Sequence, residues 1–246
     1  MIALRKAVVL ALIVLAVSVF VACAASPSGA ASTTAPDEPA RTIAPYFTSA
    51  TTDPKTPDPD GFLQRWLLLE PIKQPIRSNA VFTSSYVEKI VNADYFPNQF
   101  TVVPRDGDQV TIAGQQLAWH ALDAADFNVK LFRFAYGLNK PIYGVMFWAV
   151  TVVNSPRDMQ NVRMAVGSNS ASIWWLNGTE VVDLFGDRRM VADDCVSKRL
   201  TLNKGPNIIR GAVINGPGMS DFCVRFIDEN GEPLKDLTLN FENTPK

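Results

Sequence analysis

Residues 142–153 read IYGVMFWAVTVV, and this stretch decides the fold class. In an extended strand, successive side chains point to opposite faces. One face of this stretch carries Tyr143, Val145, Phe147, Ala149 and Val153, and the other carries Ile142, Met146, Trp148, Val150 and Val152. A strand that is apolar on both faces lies inside a fold, with cover on both sides. The stretch therefore predicts a central strand of a layered β protein.

Further strand-like runs surround this stretch. They are residues 65–69, 109–113, 116–120, 129–136, 161–167, 172–176, 180–184, 199–202, 207–214, 221–227 and 237–241. Ser85 and Glu88 fit a capping box and predict a short helix from Ser85 to about residue 94. Asn177-Gly178 predicts a tight hairpin, because both positions of a type I′ turn need a positive φ. This pattern indicates a mostly β fold, a jelly roll or β-sandwich with one or two short helices.

The beginning of the chain is typical of an export signal. Residues 1–6 form a short n-region made basic by Arg5 and Lys6, residues 7–22 are apolar and uncharged, and Cys23 follows small residues as in a bacterial lipobox. The apolar run is shorter than the ~20 residues that a membrane-spanning helix needs. We expect a signal peptide over residues 1–22 and acylation of Cys23, which would anchor an exported protein in the bacterial cell envelope. A plain secretory signal and an uncleaved anchor are the alternatives.

The remaining chain divides into a tether and one domain. Residues 23–58 are rich in Ala, Ser, Thr and Pro and predict a flexible tether. Residues 59–246 are predicted to form the β-sandwich domain. Without residues 1–22, 21 Lys and Arg would face 24 Asp and Glu, a net charge of about −3. This balance argues against nucleic acid as a partner.

Few residues in the chain could ligate a metal or form a disulfide. Beyond Cys23 there are two cysteines, Cys195 and Cys223, and the chain has one histidine, His120. Isolated residues of these types predict neither a metal site nor a bound cofactor. In an exported protein, the two cysteines favour one disulfide, with two buried free thiols as the alternative.

A family resemblance rests on three stretches of the sequence. They are DGFLQRWLLL at residues 60–69, GSNSASIWWLNG at residues 167–178, and LTLNKGPN at residues 200–207. They resemble signatures of the galactose-binding-like jelly rolls of exported bacterial carbohydrate-active proteins, including some described as acetylxylan esterases. The family often has Asp-Asp where this chain has Asn169-Ser170, which argues against a carboxylate-based ion or sugar contact there.

The resemblance implies a sugar site with an aromatic platform. Trp174 and Trp175 are neighbours in a strand and must point to opposite faces. The family match places Trp175 in the core, which leaves Trp174 as the candidate platform; the alternative is that both rings are packed between layers. Asn169 is a candidate polar contact to the ligand.

Four further residues are predicted to contact the ligand near loop ends. They are Trp119, His120, Arg188 and Asn215. The alternative for His120 is a structural hydrogen bond or a catalytic base, and for Arg188 a structural ion pair. The sequence has no Gly-x-Ser-x-Gly elbow of a serine hydrolase.

These observations favour a non-catalytic, lipid-anchored carbohydrate-binding or accessory module of a polysaccharide-utilisation system. Its partners would be a polysaccharide or oligosaccharide, the membrane, and a partner glycan-active enzyme. The alternatives are a structural lipoprotein that docks on a partner enzyme and an acetylxylan-esterase-type hydrolase.

Overall fold

A computed structural model describes residues 41–241 of the chain. The predicted signal peptide, Cys23 and the first part of the predicted tether lie outside the described residues. The strands are β1 Phe47–Ser49, β2 Arg65–Leu69, β3 Ile72–Lys73, β4 Gln109–Ile112, β5 Gln115–Ala124, β6 Val145–Ser155, β7 Met159–Ser168, β8 Ala171–Leu176, β9 Thr179–Leu184, β10 Cys195–Val196, β11 Leu200–Leu202, β12 Gly205–Asn215, β13 Phe222–Ile227 and β14 Thr238–Leu239. The helices are α1 Ser84–Val91 and α2 Leu131–Gly137. The mostly β sandwich with two short helices is confirmed.

The described strands form two antiparallel sheets. The larger sheet has ten strands, with β1-β5-β2-β6-β12-β8-β9 in spatial order and the short β3, β4 and β14 at its margins. In the smaller sheet, β7 pairs with β10, β11 and β13. Strand β6 is central to the larger sheet, where it pairs with β12 along its whole length. Every residue of β6 except Asn154 is buried, as the apolar sequence on both faces predicts.

The two faces of the ten-stranded sheet have different covers. On the first face, the smaller sheet and α2 enclose a core that includes Trp66, Phe147 and Trp174. On the second face, α1 and the irregular segment 92–108 cover a core that includes Trp148 and Trp175. We call these the sandwich face and the loop-covered face.

Two predictions about the helices need correction. Residues 129–136 were expected to be a strand, but they contain α2, in which Leu131, Phe134 and Ala135 are buried. Their i, i+3, i+4 spacing is that of a helix face. The cap of α1 is Thr83, whose hydroxyl accepts from the Tyr86 amide, so the helix begins before the expected Ser85.

The folded part also begins earlier than residue 59. Strand β1 pairs with β5, and Lys55 forms a bridge with Leu239, so residues 47–55 belong to the sandwich and not to a tether. Asn177 and Gly178 have φ values of 49° and 82°, which confirms the predicted hairpin between β8 and β9. Within the described residues, no helix has the length and apolar character to cross a bilayer.

Candidate functional site

The prediction that Trp174 is an aromatic platform is wrong. Its side chain is fully buried on the sandwich face, and its indole nitrogen donates to the Ser172 hydroxyl at 2.9 Å. The reason lies on the neighbouring strand, where Gly211 pairs with Trp174. A Cβ at this glycine would overlap the indole ring, so the glycine provides the space that the ring fills. Trp175 is buried on the opposite face, as predicted, and all five tryptophans of the chain are interior.

Trp119 and His120 do not form part of a ligand surface with the other predicted residues. Trp119 is 1% exposed and packs its ring against Phe96 on the loop-covered face. His120 Nε2 lies 3.4 Å from Glu70 Oε1, and Lys140 Nζ lies 2.8 Å from the other oxygen of the same carboxylate. In the part of the chain that is described, no serine hydroxyl bonds to this imidazole. Trp119 is thus a core residue, and the structure favours the structural alternative for His120.

Asn169, Arg188 and Asn215 do come together, at one end of the sandwich. The Ser170 amide donates to the Arg188 carbonyl at 3.3 Å, and the Ser170 hydroxyl donates to Asn215 Oδ1 at 3.2 Å. The Met190 amide donates to Asn169 Oδ1 at 2.6 Å. We call this region the loop end; it comprises residues 79–82, 138–144, 169–170, 185–194 and 216–221.

The predicted polar residues serve the loops themselves. Asn215 is fully buried, and its amide group donates to the Ile142 and Gly218 carbonyls at 3.1 and 2.9 Å. The Arg188 guanidinium pairs with Asp194, which is the structural alternative for this residue. As predicted, these residues lie near loop ends. Their hydrogen bonds hold the loops together, and their contact with a ligand stays a prediction.

Tyr143 is the exposed aromatic residue that the sequence analysis missed. It was expected to face the core, but its side chain is 58% exposed because β6 begins at Val145 and not at Ile142. Gly144 has a φ of 60°, its amide donates to the Gly216 carbonyl at 3.2 Å, and its carbonyl accepts from the Gln74 amide at 2.7 Å. These bonds fix the backbone beside the ring. The Tyr-Gly step was the signal, since an interior glycine often ends a strand.

Other exposed apolar side chains accompany Tyr143 at the loop end. Met219 is 58% exposed, Val191 is 54% exposed and Val81 is 40% exposed. The Asn79 amide group joins their loops, because it donates to Asp187 Oδ1 at 2.8 Å and to the Pro217 carbonyl at 3.1 Å. The loop end thus presents one aromatic ring and several apolar side chains on a hydrogen-bonded frame.

A buried carboxylate lies beneath this surface. Asp221 is 6% exposed, and one of its oxygens accepts from Asn128 Nδ2 at 3.3 Å. Burial raises the pKa of this carboxyl group, while Asn128, Lys130 and Arg133 act in the opposite direction. Across the described residues, no group of three or more His, Cys, Asp or Glu side chains is arranged to hold a metal ion.

A cavity lies elsewhere, on the loop-covered face. We call it the sheet cleft; its volume is about 710 Å³, and its floor includes Leu67, Ala121 and Ile208. Its rim carries the side chains of Thr51, Thr52, Thr101, Arg105, Asp106 and Asn240. This volume falls within the range of small-molecule sites, and a mixture of apolar floor and few polar groups is typical of them.

The predicted disulfide between Cys195 and Cys223 is also wrong, since both thiols are free. Cys195 pairs with Val166 and Cys223 pairs with Gly167, on opposite sides of β7. The two residues are therefore separated by two strand spacings, about 9–10 Å, and point to opposite faces. A disulfide requires Cα atoms within about 7 Å.

Comparisons with known proteins found no matching family model and no matching curated protein. Among solved structures, the chain is similar to the PA14 sugar-binding domain from an RTX adhesin, at 11% identity and a TM-score of 0.40, over 71% of this chain and 96% of that one. It is also similar to the PA14 domain of the MpAFP antifreeze protein, at 10% identity and a TM-score of 0.44, over 81% of this chain and 100% of that one. A similarity at this level does not assign the chain to a family.

Proposed function

We propose that the chain is a non-catalytic binding module that holds a saccharide at the loop end, with Tyr143 as the stacking platform. The observation that carries this proposal is a largely exposed tyrosine ring on a loop that two backbone hydrogen bonds hold in place. A ring that is already ordered loses little conformational entropy when a ligand stacks on it.

The surroundings of Tyr143 suit a ligand with both apolar and hydroxyl groups. Met219 extends the apolar surface on the adjoining loop. Asp187 is exposed and one of its oxygens accepts from Asn79, which orients the carboxylate for a hydroxyl donor. Binding sites for small polar ligands commonly combine an apolar or aromatic surface with a few oriented polar groups.

Affinity electrophoresis through gels that contain xylan, mannan or pectin tests this proposal. At least one polysaccharide should retard the wild-type chain, and Tyr143→Ala should migrate as in a gel without polysaccharide. The matched control is Tyr136→Ala, because Tyr136 is also exposed but its ring is covered by the Arg41 guanidinium. Equal retardation of wild type and Tyr143→Ala by every retaining gel would contradict the proposal.

A second candidate function is docking on a partner protein. The exposed Val81, Val191 and Met219 on the same loops favour it, because apolar groups clustered on a surface often mark interaction sites. Met219→Lys separates the two functions, since it should abolish protein docking but leave some saccharide retention through Tyr143.

We further propose export and lipid anchoring through Cys23, from the sequence pattern of residues 1–23. Metabolic labelling with a fatty acid should mark the wild-type chain and not Cys23→Ala. Membrane association, a partner glycan-active enzyme and a role in polysaccharide utilisation rest on this proposal. The hydrolase alternative predicts turnover of p-nitrophenyl acetate that is lost in His120→Ala.

A further inference from the structure

A buried cation without a counter-ion lies next to the sheet cleft, behind the part of its wall that residues 101–103 form. Arg210 is 2% exposed on the loop-covered face of β12. Its Nη2 donates to the Val102 carbonyl at 2.6 Å, and its Nη1 is buried without a hydrogen-bond partner. Within residues 41–241, no carboxylate lies within ion-pair distance of this guanidinium. Burial alone lowers the pKa of Arg210, to about 10.

The sheet register places Arg210 beside the cleft. Ala121, Leu67, Val150 and Arg210 pair in one row across four neighbouring strands. Ala121 and Leu67 belong to the cleft floor, as does Ile208, which precedes Arg210 by two residues on the same strand face. The carbonyl that accepts from Arg210 belongs to Val102, whose neighbours Thr101 and Val103 line the cleft. The guanidinium therefore lies immediately behind this wall.

The rim adds a second positive charge. Arg105 is exposed at the cleft, and its side chain has no ion-pair partner among the described residues. Asp106 is the one acidic side chain among the lining residues, and its Oδ1 accepts from the Ala121 amide at 2.7 Å. Among the residues that line the cleft, together with Arg210 behind the wall, positive charges exceed negative charges by one. Three threonine side chains and the Asn240 amide supply polar groups without charge.

We propose that the sheet cleft binds a carboxylate that carries neighbouring hydroxyls, the chemistry of a uronic acid. The carboxylate pairs with Arg105 at the rim and faces the charge of Arg210 through the Thr101–Val103 wall, while the hydroxyls bond to the threonines. A buried charge in a low-dielectric wall is weakly screened by salt, so it attracts an anion more effectively than a surface arginine does. This site is separate from the loop end, and the proposal does not depend on saccharide binding there.

Isothermal titration of the full chain with glucuronate and with its neutral methyl ester tests the proposal. Glucuronate should give saturable heat and the methyl ester should bind at least about tenfold more weakly, because it lacks the charge-assisted hydrogen bonds. Arg105→Gln and Arg210→Met should each weaken glucuronate binding, by roughly tenfold and by at least about threefold. The matched control is Arg199→Gln, which removes the same charge from an exposed site near β11 and should leave the affinity unchanged.

Three results would overturn the proposal: no saturable heat with glucuronate, equal binding of the acid and its methyl ester, or unchanged affinity in Arg105→Gln. The last variant alters an exposed side chain, so the test stands even if Arg210→Met fails to fold. Tyr143→Ala should bind glucuronate as the wild type does. If Tyr143→Ala alone removes binding, the acid binds at the loop end; the cleft proposal then fails and the proposed function stands.

Discussion

The two faces of the ten-stranded sheet bury similar side chains under different covers. On the sandwich face, regular strands of the smaller sheet lie over Trp66 and Trp174. These two rings and that of Phe222 in β13 contact one another at centroid distances of 4.9–6.0 Å. On the loop-covered face, the irregular segment 92–108 lies over Trp148 and Trp175. The indole nitrogen of Trp148 and Nη1 of Arg210 lack partners there, as the Thr151 hydroxyl does on the sandwich face. The sheet cleft opens on the loop-covered face.

The difference shows what a regular cover does for a core. Strands satisfy their own backbone groups in ladders, so their side chains can fill the space between two sheets closely. An irregular segment must direct some of its carbonyls elsewhere, and Val102 directs one to Arg210. We infer that the sandwich face provides most of the stability, while the loop-covered face keeps groups that a ligand can use.

The largest expected effect is the loss of stability when Trp174 or Trp175 is removed. These neighbours lie on opposite faces of the sheet, so they compare the two faces directly. Trp174→Ala should lower the free energy of unfolding by about 3–5 kcal/mol, because the rigid sheets cannot close the resulting cavity. Trp175→Ala should cost at least about 1 kcal/mol less, since segment 92–108 can settle into the space. Urea denaturation of both variants measures this, and a larger loss in Trp175→Ala would reverse our ranking of the faces.

Gly211 tests the close packing of the sandwich face from the other strand. Gly211→Ala should lower the free energy of unfolding by about 1–3 kcal/mol, because the added Cβ overlaps the Trp174 ring. In a Trp174→Ala background the same substitution should cost almost nothing. A double-mutant cycle by denaturation reports the coupling. Additive losses would show that the ring does not require the glycine.

Arg210 tests the loop-covered face. Arg210→Met should be more stable than wild type at pH 8 by about 1–3 kcal/mol, because it replaces a buried unpaired charge with an apolar side chain of similar length. Above pH 10, the folded chain releases a proton that the unfolded chain still holds, so the stability of the wild type rises towards that of the variant. Denaturation curves between pH 8 and pH 11 should show the gap narrowing. A constant gap would mean that the charge is not the cause.

The smallest expected effect concerns the reactivity of Cys195 and Cys223, which are free thiols and do not cross-link the strands on either side of β7. A thiol reagent at pH 8 should modify Cys195 slowly and Cys223 only after unfolding. Burial raises the pKa of both, that of Cys223 to about 11. Cys223→Ser should leave the Cys195 rate unchanged. If neither thiol reacted without reductant and both reacted after reduction, the two cysteines would form a disulfide.

The sequence predicted features that depend on local pattern. The apolar residues of β6 and the Asn177-Gly178 turn were sufficient for the central strand and one hairpin. The strand expected at residues 129–136 failed because apolar residues at short spacing fit a helix and a strand equally well, and only packing against the sheet distinguishes them. The position of β1 in a Pro-rich stretch likewise depends on its partner β5.

The sequence predicted which polar residues lie near loop ends, but not which aromatic ring reaches solvent. Whether Trp174 is exposed depends on Gly211, which is 37 residues away in sequence and becomes its neighbour only through the pairing of β8 with β12. Tyr143 is exposed because Gly144 turns the chain towards Gly216. Such long-range pairings decide which ring reaches solvent, and a single sequence does not contain them.

Amide chemical-shift mapping tests most directly our central claim that a saccharide binds at the loop end on Tyr143. The ligand in this titration is a fragment of the polysaccharide that best retards the chain. The account predicts shifts at residues 142–144 and 216–219, with no change at Trp174 or Trp175 beyond the noise. If these ligand-induced shifts disappeared in Tyr143→Ala while the rest of the spectrum stayed unchanged, the Tyr143 ring would be identified as the platform. Shifts that avoid the loop end, or persist in Tyr143→Ala, would contradict the account.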